Sequence, residues 1–299
     1  MKIQTFSIVA GSAACNARCP FCVSKMTPPN GVEMREPDVN WDRFDIASSL
    51  ALKGGCTTAM ITSKGEPTLF PGQVSRFIRR LGEFRGQFGE RGFPIIEMQT
   101  NGIPIWERRA GEMRAYVRDW AALGLTTVAI SVVHFDAESN RRIYLPYKKE
   151  YIDLAGLIGF LHEQKLAVRL AVVMVNELID TPSDVNAMIH FAKTNGVEQL
   201  SFRPVNRPDE SEDGTVAQWT AGNFVSQEHY RTIMDWVGRE GAIVGRLGHG
   251  ATIYDVGGQN VCMTNSLTLN PDSEELRQLI FFPDGAIRWD WRYPGARLL

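Results

Sequence analysis

The segment Cys15-Asn16-Ala17-Arg18-Cys19-Pro20-Phe21-Cys22 places three thiols within eight residues, just after the apolar run Phe6–Gly11. The apolar run predicts a strand, so the cysteines lie on a loop at its end. Thiolates are the ligands of iron–sulfur clusters, which usually take four of them. Three ligands leave one iron of a [4Fe–4S] cluster open to a cofactor or substrate. The alternatives are an incomplete zinc site or chance clustering, but no His or further Cys lies close by to complete a zinc tetrahedron.

Strand and helix patterns alternate beyond this loop. We predict strands at 57–62, 94–99, 126–133, 167–175 and 198–202, and helices from residue 40 or 42 to 53 and at 73–84, 106–123, 151–164 and 182–194. Such alternation is typical of βαβ units with a parallel sheet. We therefore expect an α/β fold, a partial (β/α)6 parallel barrel, with its chemistry at the carboxyl ends of the strands.

The pattern changes from Gly241 onward. Two apolar runs, 279–282 and 286–289, flank Pro283-Asp284-Gly285, which predicts a β-hairpin. We expect residues 1–210 to form the barrel and residues 211–299 a small β-rich C-terminal extension that covers the barrel mouth. The acidic segment 206–215 is interpreted as a solvated loop or a mobile lid.

The three-cysteine pattern resembles the signature of the radical S-adenosylmethionine (radical SAM) superfamily, Cys-x3-Cys-x2-Cys, with Phe21 as the aromatic residue before the last Cys. The resemblance implies one [4Fe–4S] cluster held by Cys15, Cys19 and Cys22, with SAM chelating the open iron. In that family, electron transfer from the cluster cleaves SAM to methionine and a 5′-deoxyadenosyl radical.

Three further segments at predicted strand ends resemble SAM-binding motifs of this superfamily. Gly65 and Glu66 match a Gly-Gly-Glu-like motif that holds the SAM amino group, although Lys64 replaces the first Gly. Asn101 lies in a Thr-Asn-Gly turn found close to the cofactor, and Ser131 matches a polar residue that bonds the SAM ribose or carboxylate. Ordinary turns are the alternative for Gly65 and Asn101.

The fifth and sixth strands are similar to those of the molybdopterin-precursor cyclase and SPASM-twitch branch. This resemblance implies that Arg169 and Asn176 contact the SAM carboxylate and adenosine, and that Arg203 lies at the strand end beside the adenine. An Arg in an otherwise apolar strand needs a partner, so a salt bridge between Arg169 and Glu97 or another acid is the alternative.

The C-terminal part also resembles the extension of that branch, but it lacks the cysteines that hold auxiliary clusters there. Only Cys262 is present, and Cys56 lies at the opposite end of its strand, so we predict a single cluster. Cys262 is either a small buried side chain or a hydrogen-atom donor to a substrate radical, and Cys56 is interpreted as core packing.

Composition limits the class of protein. The 299 residues carry 32 Lys and Arg against 34 Asp and Glu, a net charge of −2 that argues against a nucleic-acid substrate. We find no apolar run long enough for a transmembrane helix and no signal-peptide pattern. Five cysteines, three of them clustered, are not a disulfide framework and indicate a reducing cytoplasm.

We therefore predict a radical SAM enzyme that abstracts hydrogen from a peptide or small polar metabolite, leading to epimerisation, cyclisation or rearrangement. Its electron donor is expected to be a flavodoxin or ferredoxin. One alternative is a tRNA-modifying enzyme that uses a basic surface, and another is a non-catalytic sensor that binds SAM and a cluster. The basic surface consists of five arginines on one helix and the loop after it: Arg76, Arg79, Arg80, Arg85 and Arg91.

Overall fold

The computed structural model describes residues 2–88, 92–107, 111–206, 210–265 and 274–299. The strands are β1 (Lys2–Val9), β2 (Thr58–Thr62), β3 (Ile95–Thr100), β4 (Thr127–Val132), β5 (Ala167–Met174), β6 (Gln199–Pro204), β7 (Gly241–Arg246), β8 (Thr252–Val256), β9 (Gln259–Met263), β10 (Glu275–Phe281) and β11 (Ile287–Arg288). The helices are α1 (Val23–Met26), α2 (Trp41–Lys53), α3 (Pro71–Phe88), α4 (Ile103–Trp106), α5 (Gly111–Leu123), α6 (Ala137–Tyr144), α7 (Leu154–Glu163), α8 (Pro182–Thr194), α9 (Gly214–Asn223) and α10 (Gln227–Glu240).

Strands β1 to β6 lie side by side in chain order, and every neighbouring pair is parallel. Helices connect them, so the predicted partial (β/α)6 barrel is confirmed. The predicted helix 182–194 matches α8 at both ends, because its capping box forms: Thr181 accepts from the Asp184 backbone and the Asp184 side chain accepts from the Thr181 backbone.

The strands after residue 240 continue the same sheet on both sides. β9 pairs in parallel with β6, and β10 pairs in parallel with β1. β8 and β7 follow β9 in antiparallel order at one edge, and β11 forms the other edge. The hairpin predicted around Pro283-Asp284-Gly285 is confirmed by the antiparallel pairing of β10 with β11, and Gly285 has the positive φ of +92° that its turn requires. The β-rich extension is therefore confirmed, and its division from the barrel at residue 210 stays a prediction.

Five helices of the described chain were not predicted: α1, α4, α6, α9 and α10. Helix α9 begins within the segment interpreted as a solvated loop or lid. Asp213 caps α9 by accepting from the backbone N–H of Thr215 and Val216, so an acidic residue that was interpreted as solvated forms a helix start. Residues 207–209 of that segment lie outside the described residues.

Short side chains on β4 to β6 leave part of the barrel interior unfilled. Ala129, Ser131, Ala171 and Ser201 face inward on β4 to β6, while the outer faces pack large apolar side chains against the helices. The result is a cavity of about 1320 Å³, larger than the roughly 300–1,000 Å³ of a typical single-ligand site. Across the described ranges, no helix has both the length and the apolar character needed to cross a membrane.

Candidate functional site

The cluster loop (residues 10–22) lies at the carboxyl end of β1, where its three cysteines line the cavity. Helix α6 supports it, because the Tyr144 carbonyl accepts from the Arg18 backbone N–H at 2.9 Å. Phe21 is buried, with its ring 6.3 Å from Tyr144 in an edge-to-face contact and 5.9 Å from Trp219 of α9. The aromatic residue of the motif therefore anchors the loop to two helices.

Gly65 lies directly against the backbone of the cluster loop. A Cβ at this position would lie 2.0 Å from the Ala14 carbonyl oxygen and 2.7 Å from that of Ser12, so only glycine fits. The next residue, Glu66, donates its backbone N–H to the Ala14 oxygen at 3.0 Å. The end of β2 thus positions the cysteines through a close backbone contact.

The Glu66 carboxylate is buried and accepts four hydrogen bonds. One oxygen accepts from the backbone N–H and hydroxyl of Thr68 at 3.1 and 2.7 Å and from the Thr100 hydroxyl at 2.6 Å. The other accepts from the Asn101 N–H at 2.8 Å. Burial raises the pKa of Glu66, and these donors oppose the shift. Glu66 therefore ties β2 to β3 beside the thiols.

Asn101 connects the end of β3 to the cluster loop. Its side-chain amide donates to Asn16 Oδ1 at 2.8 Å and lies 4.0 Å from Cys15 Sγ. Its own Oδ1 accepts from the Ile103 N–H at 3.0 Å, which fixes the side chain. The two strand-end motifs identified in the sequence, at Glu66 and Asn101, are thus joined directly to the cysteine segment.

Lys64, the residue that departs from the family motif, ends in a buried cluster of acceptors. Its ammonium donates to the Ser24 carbonyl at 3.0 Å and to the carbonyl and hydroxyl of Thr27 at 3.2 and 2.7 Å. Burial lowers its pKa to about 8. Lys64 therefore stabilises the C-terminal end of α1, the short helix that begins right after Cys22.

The cysteine set fits an iron–sulfur cluster. Burial raises the pKa of Cys15 to about 11 and also raises that of Cys19, and each of the two is further raised by the neighbouring thiols and Glu66. Metal binding must displace these thiol protons. Within the described residues, no three His, Cys, Asp or Glu side chains are close enough to share a single metal ion. Three thiolates on one loop can each bind a different iron of a cluster.

The remaining predicted SAM contacts differ in their placement. Ser131 lines the cavity and its hydroxyl lies 3.1 Å from that of Tyr144. Asn176 does not line it: it follows β5, and its backbone N–H donates to the Asn223 carbonyl at the end of α9. His134, a strand-end histidine, accepts from the Asp136 backbone at 3.0 Å and stacks on Phe135, so it has a structural role.

Arg169 forms a salt bridge with Glu97, the alternative to a contact with the SAM carboxylate. Its Nη1 lies 2.6 Å from the buried Glu97 Oε2, and its Nε donates to Gln199 Oε1 at 2.7 Å. Arg203 also lines the cavity, and burial lowers its pKa. Both arginines thus face the lumen, with Arg169 already paired.

Cys262 also faces the lumen. It is level with Ser201 across the β6–β9 pair, and burial raises its pKa while Arg169, Arg203 and a further arginine, Arg277, lower it. Cys56 is buried in the core, as predicted, with its thiol 3.2 Å from the Thr58 carbonyl.

The proposed basic surface is partly neutralised. Arg80 forms ion pairs with Asp45 and Glu83, and the Arg76 guanidinium lies 5.6 Å from the centre of the Trp41 ring. The Arg85 side chain and Arg91 lie outside the described residues. These contacts are typical of a solvated helix face.

Sequence reasoning missed several cavity residues. Tyr144, Arg277 and His249 line the site or contact its residues, yet none belongs to a recognised motif. Arg277 could have been identified from the sequence, because it is a charged residue within the strand 275–281. The same feature identified Arg169.

Comparison with solved structures identifies the fold. SuiB from Streptococcus suis, solved with the precursor peptide SuiA, is 14% identical over 96% of this chain and 59% of SuiB, with a TM-score of 0.59. The structure titled anSMEcpe with bound AdoMet is 12% identical over 99% of this chain and 77% of its own, with a TM-score of 0.61. A radical SAM methyltransferase from Sphaerobacter thermophilus is 15% identical over 87% and 66%, with a TM-score of 0.54.

This chain has the fold of radical SAM enzymes, and it spans about three fifths of the length of SuiB. The predicted family resemblance is confirmed at the level of the fold. No protein-family model and no curated protein matches the sequence.

Proposed function

We propose that the protein is a radical SAM enzyme that abstracts hydrogen from a peptide or a small polar metabolite. The observation that carries this proposal is the junction at the strand ends: the cysteine segment, Glu66 and Asn101 are joined by direct hydrogen bonds at one end of a large cavity. When bound, one [4Fe–4S] cluster held by Cys15, Cys19 and Cys22 supplies the electron that cleaves SAM to methionine and a 5′-deoxyadenosyl radical.

The residues around the thiols bind and orient SAM in this proposal. Gly65 lets the backbone approach SAM closely, Glu66 holds the SAM amino group, and Asn101 and Ser131 offer polar groups to SAM. Arg169 and Arg203 are assigned to a ligand other than SAM. Asn176, outside the cavity wall, is left without a role.

The barrel shields the reaction from water. Phe21, Tyr144 and Trp219 close one side of the cluster loop, and the cavity is large enough for SAM and a second molecule. SuiB, which shares this fold, was solved with a precursor peptide, and this supports a peptide as one candidate substrate. The electron donor is proposed to be a flavodoxin or ferredoxin.

The test is formation of 5′-deoxyadenosine after anaerobic cluster reconstitution, with SAM and a strong reductant. We expect product from the wild type, none from Cys19→Ala, and wild-type amounts from the control Cys56→Ala, whose thiol lies in the core. Absence of 5′-deoxyadenosine from wild-type protein with an intact cluster, with and without a panel of peptides and small metabolites, would favour the non-catalytic sensor instead.

Cys262 is the proposed hydrogen-atom donor if the reaction is an epimerisation. Its thiol faces the same lumen, so it can give a hydrogen atom to a substrate carbon radical and become a thiyl radical, which an electron and a proton return to the thiol. Cys262→Ala should then still form 5′-deoxyadenosine but no epimerised product. Unchanged product would show that Cys262 is not the donor and only packs in the cavity wall.

A further inference from the structure

The lumen contains a partly buried guanidinium that has no hydrogen-bond partner among the described residues. Arg203 points inward from β6, and its Nε is inaccessible to solvent and makes no hydrogen bond within the described part of the chain. Within the described residues, no carboxylate lies within ion-pair distance of it. A buried cation that lacks a partner is costly, so the fold retains Arg203 at a free-energy cost that a bound anion can offset.

Two more arginines face the same space. Arg277 reaches in from β10 and donates to the Asn265 carbonyl at 2.6 Å, a bond that joins β10, beside β1, to the segment after β9, beside β6. Arg169 enters from β5. The positive charge of Arg203 lowers the pKa of Arg277, and that of Arg169 lowers the pKa of Arg203. We call these three side chains the arginine group (Arg169, Arg203, Arg277).

Negative charge near the arginine group is insufficient to balance it. Glu97 is in contact with Arg169 and attracts Arg203 only from a distance. Asp290 attracts Arg277 without an ion-pair contact, and Glu275 is hydrogen-bonded to Gln4. Among the described residues, the arginine group therefore has at least one guanidinium in excess, and that of Arg203 is free to bind a ligand.

Two of the three arginines lie away from the cluster loop, because Arg169 and Arg277 are each the third residue of their strands, β5 and β10. Glu97, the carboxylate contact of Arg169, lies four residues before Asn101 on β3, which is roughly 13 Å along a strand. Arg203 lies one residue before the end of β6 and reaches the group from the other direction. The charged groups that shift the pKa values of Cys15 and Cys19 are the neighbouring thiols, Glu66 and, for Cys15, Lys25. The charged groups that shift the pKa of Cys262 are the three arginines. The cavity thus has two chemically distinct ends.

We propose that the arginine group binds an anionic group, a carboxylate or a phosphate, of the substrate, with Arg203 and Arg277 as its direct ligands. The inference rests on the proposed function, since it assigns the bound anion to the molecule that the radical attacks. It narrows the substrate to one that carries a carboxylate or a phosphate, and it places Cys262 beside that anion. Paired N–H donors of guanidinium groups suit the planar oxygens of carboxylate and phosphate.

The test is calorimetric titration of the cluster-reconstituted protein with two probes, malonate and inorganic phosphate, at constant ionic strength. We expect one probe to bind with one site per chain, and to bind at least tenfold more weakly to Arg203→Gln and Arg277→Gln. The control Arg79→Gln, exposed on α3, should bind like the wild type. The probe that binds distinguishes a carboxylate from a phosphate, and circular dichroism verifies that each variant is folded.

A parallel titration with SAM keeps the two proposals apart. SAM affinity should be unchanged in both lumen variants, because SAM is assigned to the other end of the cavity. The proposal is overturned if neither anion binds, if the variants bind anions like the wild type, or if Arg203→Gln weakens SAM binding tenfold, which would assign Arg203 to the SAM carboxylate. None of these binding results depends on 5′-deoxyadenosine formation. Failure of the anion-binding proposal can therefore be distinguished from failure of the proposed radical reaction.

Discussion

The two ends of the cavity differ in how completely their polar groups are paired. At the cluster loop, the Glu66 carboxylate has four donors and the Lys64 ammonium has three acceptors, all in the folded chain itself. In the arginine group, Arg203 has no hydrogen-bond partner among the described residues. A fully paired polar network holds a fixed geometry, whereas an unpaired cation can still bind an anionic ligand. The first end is therefore preorganised, and the second is completed by what it binds.

The largest effect should follow from adding a methyl group where β2 contacts the cluster loop. Gly65→Ala places a Cβ against the Ala14 carbonyl, so the loop must shift, at a cost of about 3 kcal/mol. We expect the variant to lose most of its cluster, measured as iron and sulfide per chain after reconstitution. Gly72→Ala is the matched control, because a Cβ there meets nothing within 4 Å. Wild-type iron content in Gly65→Ala would show that the close contact does not position the cysteines.

Glu66→Gln should weaken the same end by about 2 kcal/mol, because an amide NH₂ replaces one of two oxygens that face donors only. The expected result is a lower free energy of unfolding in denaturant and weaker SAM binding by the reconstituted protein. The control is Glu163→Gln at the C-terminal end of α7, away from the cavity. Equal unfolding free energies for Glu66→Gln and wild type would mean that the network contributes little.

Lys64→Met should loosen α1 selectively, since it removes the donor to the Ser24 and Thr27 carbonyls and costs about 1–2 kcal/mol. Hydrogen exchange of the peptide covering residues 22–28 should become faster, while exchange in β5 stays unchanged. Lys25→Met, at an exposed neighbour, is the control. Unaltered exchange in 22–28 would show that this departure from the family motif has no structural role.

The smallest effect concerns His249, at the arginine end, where its Nδ1 lies 2.8 Å from Gln4 Oε1. Burial first, and then the positive charge of Arg277, lower its pKa to about 4. The folded state thus binds fewer protons than the unfolded state between pH 6.5 and 4, and stability is lost as pH falls through that window.

The unfolding free energy of the wild type relative to His249→Gln should therefore decrease by about 1–2 kcal/mol from pH 7 to pH 4, a figure reduced for partial exposure. His190→Gln, exposed on α8, controls for the loss of a histidine. A pH-independent difference between wild type and His249→Gln would contradict an electropositive lumen.

The same contrast explains what the sequence could predict. The cluster loop, Gly65-Glu66 and Asn101 are local motifs at strand ends, so a linear pattern identifies them and the barrel rule brings them together. The strands β1–β6 were likewise predictable from apolar runs between helical periods.

The arginine group was not predictable, because it depends on how the sheet is completed. Arg277 and Arg203 line the same cavity because β10 pairs with β1 and β9 pairs with β6, which adds a strand to each side of the six-stranded barrel sheet. No local pattern encodes that long-range pairing. Helix α9 was missed for a different reason: its acidic start is compatible with either a loop or a cap, and packing of Trp219 against Phe21 decides between them.

The most direct test of the account is electron paramagnetic resonance of the reduced, reconstituted protein, with iron quantified on the same sample. We predict about four irons per chain, a single [4Fe–4S] signal that changes when SAM is added, and loss of that signal in Cys19→Ala. About eight irons per chain, or a signal that SAM leaves unchanged, would contradict a single cluster with an open iron at Cys15, Cys19 and Cys22.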